Sequence, residues 1–306
     1  MKVAVIGTGF GKHAAAPAYA GLGFDVEVVS PRDEAAVKAA LASGVDLVSV
    51  HSPPFLHLEH VSGAIEQGRA VLCDKPFGRN ADEAALMHAR AREAGVLHFL
   101  NFEFRFNESW ARLKELADGG AIGAPRHLHW SFFGSGLRGR KHGWINDRDL
   151  GGGWIGAYGS HLIDFTRWLF GSEIADCGGL TRIDIEGATA EDSYSAWFAM
   201  TNGATATHDT GFAAAVPSPP TVTLIGSEGT IELTADTTLV LRRSGADPET
   251  AEFAAPPRRS PPPALAAYLA GVGEALRTGT QIGPSFDDGL AVARAMDLLR
   301  AKAVRA

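Results

Sequence analysis

The chain has 306 residues, the length of one large domain or two ordinary ones. Its 28 basic and 35 acidic side chains leave a net charge of −7. No block of like charge stands out, which argues against nucleic acid or an anionic membrane as the main partner. Hydrophobic residues make up 45% and charged residues 21%, a globular composition able to bury a sizeable core. Two cysteines, Cys73 and Cys177, are too few for a disulfide framework or a metal-ligand cluster. No apolar run approaches the roughly 20 residues of a membrane span, and the first strand begins without a basic leader. A reducing cytoplasm is the expected location.

Lys2–Ile6 (KVAVI) is a β-branched run of the kind that forms a buried parallel strand. Gly7, Thr8, Gly9, Phe10 and Gly11 follow, then the alanine-rich Lys12–Ala20, helix-forming apart from Pro17. Strand, glycine turn and helix together are the setting of a dinucleotide fingerprint, whose helix N-terminus offers free N–H groups to a pyrophosphate. The match to G-x-G-x-x-G is partial. Gly7 and Gly9 fit, the third position is Lys12, and Gly11 comes one residue early. A plain glycine turn between strand and helix is the alternative. Asp25–Ser30 is the second strand and runs into Pro31 and Arg32. A NAD site usually ends this strand in a carboxylate for the ribose diol, whereas a NADP site meets the 2′-phosphate with arginine. Ser30 and Arg32 suit a phosphate better, so NADP(H) is favoured; NAD(H) is possible through Asp33, and Arg32 is otherwise a solvated loop residue.

A helix over Glu34–Ser43 and a strand over Asp46–Val50 lead into His51-Ser52-Pro53-Pro54-Phe55-Leu56-His57. That loop falls at the carboxyl end of the sheet, where such folds bind ligands. After a helix over Leu58–Gln67 and a strand over Ala70–Cys73 come Asp74, Lys75 and Pro76. A lysine in a tight turn at a strand end can hold a substrate hydroxyl and stabilise alkoxide character there, although most lysines are solvated surface charges. A helix over Asn80–Ala94, a strand over Val96–Leu100 and the mixed loop from Asn101 to Phe106, with Arg105 in it, follow. A helix over Ser109–Ala117 leads onward. Repeated strand–helix alternation predicts a doubly wound parallel sheet over residues 1–120.

Residues 121–306 read differently. Arg126–Phe133 alternates as a strand, with His127 and His129 on one face; without a third ligand in the pattern no metal site is expected. Gly134–Leu150 is a long loop with Arg138, Arg140, Lys141, His142, Trp144 and Asn146, whose cations and indole suit a hydroxylated or anionic substrate. Gly151-Gly152-Gly153 then opens a helical pattern that carries Tyr158, His161 and Asp164. Here Leu162, Phe165 and Leu169 form a buried face, with Asp164 as an orienter or cap. Strands are expected at Gly179–Ile185, Asp192–Met200, Ala204–Gly211, Thr221–Gly226, Thr230–Thr234 and Thr238–Arg242, with a hairpin at Gly226–Gly229. Short turns between them imply an antiparallel sheet with one open face, the kind of face that finds a second copy. A homo-oligomer, dimer or tetramer, is the expected partner state. Ala254–Pro263 is a stiff proline-rich connector, and Ala264–Arg277 and Phe286–Arg305 are closing helices, with a return to the first domain left open.

Taken together, GTGFG at 7–11, HSPPFLH at 51–57, DKP at 74–76, FRF at 104–106 and GGGWIGAYGSHLID at 151–164 form an ordered set. It resembles the Gfo/Idh/MocA oxidoreductases over essentially the whole chain. The resemblance implies an α/β plus α+β architecture, a Rossmann domain followed by an open, mostly antiparallel sheet with helices on one face. It implies a nicotinamide cofactor and a sugar, polyol or related alcohol–ketone substrate. Lys75 and His161 fall on the family's catalytic lysine and histidine. His57 falls on the histidine that often follows the strand-end proline loop. The implied cofactor contacts are Gly7, Thr8, Gly9, Phe10, Gly11, Ser30, Arg32, Ser52, Pro53, His57, Asp74 and Lys75. The implied substrate contacts are Lys75, Asn101, Arg105, Trp144, Tyr158 and His161.

Three departures stand out. Ala157 occupies the place where the family often has an aspartate, four residues before the histidine. Asp74 replaces the common glutamate before Lys75. The segment between Arg32 and Asp46 is short, so one strand of the Rossmann half is expected to be missing. Reversible hydride transfer at a secondary alcohol is the first functional reading. Cofactor-cycling sugar elimination is the second, and a non-catalytic ligand sensor, kept open by Ala157, is the third.

Overall fold

The computed structural model describes residues 1–136, 143–255 and 262–306. It divides the chain into two compact units. One comprises Met1–Phe106 with the described part of 256–294, the other Asn107–Ala255 with Ala295–Ala306.

The first unit is built on five parallel strands: β1 (Lys2–Ile6), β2 (Asp25–Val29), β3 (Leu47–Val50), β4 (Ala70–Cys73) and β5 (His98–Leu100). Their order is β2-β1-β3-β4-β5. The six-stranded doubly wound sheet has an outer strand beyond the second one, and its removal leaves this order. Chain length explains the loss, because a single helix, α2 (Glu34–Ala42), fills the span between β2 and β3. Asp33 starts that helix, its Oδ1 accepting the Ala36 N–H at 3.0 Å. Helices α3 (His57–Glu66) and α4 (Ala81–Ala94) pack on each other, and α4 is capped by Asn80 at one end and by left-handed Gly95 at the other.

The expected helix over Lys12–Ala20 is split. Gly11–Ala15 forms a wide turn, closed by the Ala16 N–H on the Gly11 carbonyl, and α1 is confined to Ala16–Gly21. Pro17 accounts for this: it has no N–H to offer the His13 carbonyl, so the regular ladder cannot run through it. The core of this unit joins Val3, Val5, Leu47, Leu72 and Phe99 of the sheet to Tyr19 of α1. Leu265, Tyr268, Leu269 and Val272 complete it from α7 (Pro263–Thr278). Tyr268 ties α7 down by donating its hydroxyl to the Leu100 carbonyl at 2.7 Å.

The second unit begins with α5 (Glu108–Asp118) and β6 (Pro125–Phe133), followed by α6 (Ser160–Phe170). Strands β7 (Ile174–Arg182), β8 (Ser193–Met200), β9 (Thr205–Gly211), β10 (Ser218–Gly226), β11 (Gly229–Thr234), β12 (Thr238–Arg243) and β13 (Glu249–Glu252) come next. Helix α8 (Phe286–Lys302) crosses from one unit to the other, and Val304–Arg305 adds β14. The sheet order is β13-β12-β11-β10-β6-β9-β8-β7-β14, antiparallel except at the β6–β9 and β7–β14 pairs.

Strand β7 starts five residues before the expected Gly179 and stops short of Ile185. Its early part pairs with β8 from Met200 backward. It ends because Asp192 Oδ2 draws the N–H groups of Asp184 and Ile185 out of the ladder. The closing helix likewise ends at Lys302 rather than running to Arg305, since the tail pairs with Leu180 and Thr181 instead. Alternation sends Trp130, Val222, Leu224, Ile231 and Phe198 to one face, where Trp110 of α5 and Phe165 of α6 meet Trp130 edge to face. The other face leaves Leu180, Trp197 and Ile225 exposed. On that face His127 and His129 bond Thr205 and Thr207 across the β6–β9 pair, at 2.8 and 2.9 Å. Among the described residues no helix is long and apolar enough to cross a membrane.

Candidate functional site

All five strands of the first unit end on one edge, which gathers residues far apart in sequence. Gly7 follows β1, Ser30 follows β2, His51 follows β3, Asp74 and Lys75 follow β4, and Asn101 follows β5. The strand order reverses between β2-β1 and β3, and this is the crevice where doubly wound sheets bind their ligands.

The glycines of the first turn have distinct causes. A Cβ on Gly7 would lie 2.6 Å from the His51 carbonyl oxygen, and one on Gly11 would lie 2.9 Å from the His51 Cβ. These two are fixed by the neighbouring strand end. Gly9 is different, since a Cβ there would meet nothing within 4 Å. The space above Gly9 is what a pyrophosphate needs in order to approach the backbone, so the turn fits a dinucleotide. Thr8 and Phe10 are exposed beside it. Further along the edge, Arg32 is exposed and lines a cavity of about 810 Å³ with Pro31, Val37, Leu41, Leu56 and His60. Ser30 accepts the Arg32 N–H at 3.3 Å. Among the described residues the Arg32 guanidinium has no ion-pair partner, while Asp33 is engaged as the cap of α2.

A buried polar chain underlies the Lys75 turn. The Tyr19 hydroxyl lies 3.1 Å from Ser49 Oγ, which lies 2.8 Å from His51 Nε2. His51 Nδ1 lies 3.1 Å from Asp74 Oδ2. Asp74 Oδ1 accepts the Lys75 N–H at 2.9 Å and Asn101 Nδ2 at 3.2 Å. Burial pushes the Asp74 carboxyl up, but His51, Lys75 and His57 outweigh it and hold the group well below the usual carboxylate range. Asp74 is thus a standing anion, with Lys75 half-buried beside it.

Ser52 is buried, its Oγ 3.0 Å from His60 Nδ1, and Pro53 is half-buried. His57 is wholly buried. Its Nε2 lies 2.7 Å from the Ser52 carbonyl oxygen and its Nδ1 3.1 Å from that of Pro76. Burial lowers its pKa to about 4, so the ring is neutral and its polar atoms face the chain's own loops. Arg105 turns toward α8, its Nη2 2.8 Å from Asp288 Oδ1.

In the second unit the glycine run is anchored from both sides. Arg300 Nη2 donates to the Gly152 carbonyl at 2.9 Å and pairs with Glu191 Oε1 at 2.9 Å; both side chains are about 95% buried, at 4% and 5% exposure. The Trp154 N–H reaches the Glu191 carbonyl at 2.6 Å, and the Ile155 N–H reaches Glu191 Oε1 at 3.3 Å. Gly153 sits at φ +105°, and a Cβ there would lie 2.2 Å from the Glu191 carboxylate. From this anchor the chain makes a wide turn over Ile155–Gly159 and enters α6, on which His161 and Asp164 are both buried, one turn apart. Trp154 stacks on Phe212 and on Tyr158, with ring centroids 4.4 and 5.0 Å away, and Phe132 lies 5.0 Å from Tyr158. Such an aromatic wall suits the C–H face of a sugar or polyol. Trp144 is half-buried at the start of a short turn. Arg138, Arg140, Lys141 and His142 lie outside the described residues.

Several participants escape a reading of the sequence. Glu103 lies between two phenylalanines and is buried, its Oε2 without a hydrogen-bond partner among the described residues. Burial and the nearby Asp74 raise its pKa to about 8, against the lowering effect of Lys75. Glu191, Arg300, Phe212 and Ser49 carry no local motif. His51 stands in a motif that draws attention to its neighbours.

Two family models match the chain. One, described as "Oxidoreductase family, NAD-binding Rossmann fold", covers residues 1–102; the other, "GFO/IDH/MocA C-terminal domain", covers residues 110–232. An uncharacterized oxidoreductase of Synechocystis is 34% identical over 191 residues, 56% of this chain and 52% of that protein. Inositol 2-dehydrogenase 3 of Saccharopolyspora erythraea is 31% identical over 134 residues, 44% of this chain and 37% of that protein. The match thus spans about half the length of these curated relatives, or less. Among solved structures, a levoglucosan dehydrogenase in complex with NADH and levoglucosan superimposes with a TM-score of 0.86 at 20% identity, over 99% of this chain and 96% of that one. That likeness establishes a shared fold.

Proposed function

The chain belongs to the GFO/IDH/MocA oxidoreductase family, and from this premise we propose that it moves a hydride between a nicotinamide cofactor and a secondary alcohol or ketone of a sugar, polyol or related small molecule. The observation that carries the reading is the carboxyl edge of the first sheet. There an open glycine turn at Gly9 stands on the same edge as a lysine whose flanking carboxylate is held ionised. A bound nicotinamide supplies the hydride acceptor or donor. The chain's own groups do the rest: the 7–11 turn holds the pyrophosphate, with Ser52, Pro53 and Asp74 as further contacts along the edge. Lys75 donates to the substrate oxygen and stabilises the negative charge that develops on it. His161 takes the hydroxyl proton in oxidation and returns it in reduction. Asn101, Tyr158 and Trp144 are assigned to the substrate, with Trp154 and Phe212 extending the apolar wall.

Arg32 is assigned to a 2′-phosphate, which makes NADP(H) the favoured cofactor. A phosphate brings charge and acceptor oxygens to a guanidinium that no carboxylate neutralises among the described residues. Arg32→Ala is therefore expected to weaken NADPH binding by about tenfold or more and to leave NADH binding within about twofold. Fluorescence titration of both forms measures this. Equal or tighter NADH binding by the unaltered protein would reverse the assignment to NAD(H). We further assign the exposed face with Leu180, Trp197 and Ile225 to contact with a second copy, giving a dimer or tetramer. Two buried, unpaired thiols, Cys73 and Cys177, accord with a reducing cytoplasm.

A further inference from the structure

The carboxylates near Lys75 are unequal. Asp74 is well bonded: His51 Nδ1 lies against one oxygen, and Asn101 and the Lys75 N–H donate to the other, so its charge is held in place. Glu103 is the opposite case. It is 5% exposed, it follows β5 by three residues on the same sheet edge, and its Oε2 has no partner among the described residues. Buried carboxyl oxygens are almost always bonded, so an orphan one calls for an explanation in what the group does. Asn101 Oδ1, buried two residues earlier, is orphaned too. Asn101 Nδ2 reaches Asp74 Oδ1 at 3.2 Å, which ties this segment to the turn that carries Lys75, and Asp74 and Lys75 both act on the Glu103 carboxyl.

We propose that Glu103 is a second, switchable carboxyl partner of Lys75. It is a positioning residue that lies uncharged beside the lysine while the lysine holds the substrate oxygen, and it draws the ammonium away from that oxygen once it loses its proton. The inference rests on the role given to Lys75 above. Within the first unit the other groups facing Glu103 do not compete for this part. Tyr268 of α7 is kept neutral by burial and spends its hydroxyl on the Leu100 and Pro284 carbonyls. Arg105, on the same turn as Glu103, is paired with Asp288 of α8. His51 is occupied by Ser49 and Asp74.

The arrangement has a chemical consequence. With Glu103 neutral, Asp74 is the ionised carboxylate beside Lys75, and the ammonium remains an electrophile for a developing alkoxide. With Glu103 ionised, two carboxylates share one ammonium, and less of its field reaches the substrate. Activity should therefore fall on the alkaline side through the titration of Glu103.

The test has two arms. Infrared difference spectra of the resting protein, wild type minus Glu103→Gln, should show a protonated-carboxyl band at pH 6 that disappears with a midpoint near pH 8. In a Lys75→Met background that midpoint should move up by about one pH unit or more, because the cation that lowers it is gone. No such band, or a midpoint indifferent to Lys75, would overturn the proposal. In the kinetic arm, wild-type kcat should fall several-fold between pH 7 and pH 9, Glu103→Gln should lose that inflection, and Glu103→Asp should retain it at a displaced pH. Identical profiles for wild type and Glu103→Gln would equally overturn it. The amide copies the neutral acid in size and charge, so Glu103→Gln is expected to fold as the wild type does. Failure of every polyol to react would end the functional reading alone, and the infrared arm would still decide for or against Glu103.

Discussion

Replacing Lys75 by methionine lowers kcat/KM by about 10²–10³-fold, because a preorganised donor aimed at a developing oxyanion contributes on that scale. Methionine keeps the length and apolar stem of the side chain and removes only the ammonium. The turn around it is held independently: Asp74 Oδ1 accepts the backbone N–H of residue 75, and His51 and Asn101 fix the carboxylate. The variant should therefore fold normally and bind cofactor within about fivefold of the wild type, since one contact among many is lost. Steady-state kinetics with parallel cofactor titrations separates these quantities. A variant retaining a tenth or more of wild-type kcat/KM would remove Lys75 from the chemistry.

Glu191→Ala is expected to cost about 3–5 kcal/mol of stability, the scale of breaking a buried ion pair by deleting one partner. Arg300 would keep its charge at 4% exposure with its carboxylate gone, and Arg148, 3.7 Å from Glu191 Oε2, would be left behind with it. The Ile155 N–H would lose its side-chain acceptor, leaving the lead into α6 held by backbone contacts and by Arg300 on Gly152. Gly153→Ala attacks the same joint from the other side, driving a methyl into the Glu191 carboxylate at a positive φ. Denaturant unfolding of the Glu191 variant measures the cost. A loss below about 1 kcal/mol would show that the pair only balances its own desolvation.

The contrast between these two predictions shows what could be read from the chain. The Lys75 turn, the glycine turn at 7–11 and the glycine-led helix with His161 are local patterns, each a few residues long, so their elements and order were legible. The missing outer strand was legible too, as a shortage of residues between Arg32 and Asp46. Glu191 and Arg300 were not, because a pair 109 residues apart leaves no local trace in either segment. Glu103 reads as one charge in a mixed loop, and only the fold shows that it is buried with an unpartnered oxygen. Phe212 joins Trp154 because Gly134 and Gly136 leave room for its ring, a relation between distant segments. Pro17 was visible, but its effect on the first helix depends on the ladder it interrupts.

The most direct test of the central claim follows reduced-nicotinamide absorbance when a panel of sugars and polyols is offered with NADP or NAD, for wild type and His161→Ala. The account predicts net reduction by the wild type on at least one polyol. It predicts at least about a hundredfold slower turnover by the variant, with cofactor affinity unchanged. Equal turnover by the two proteins, or tight cofactor retention without net reduction on any substrate, would contradict it.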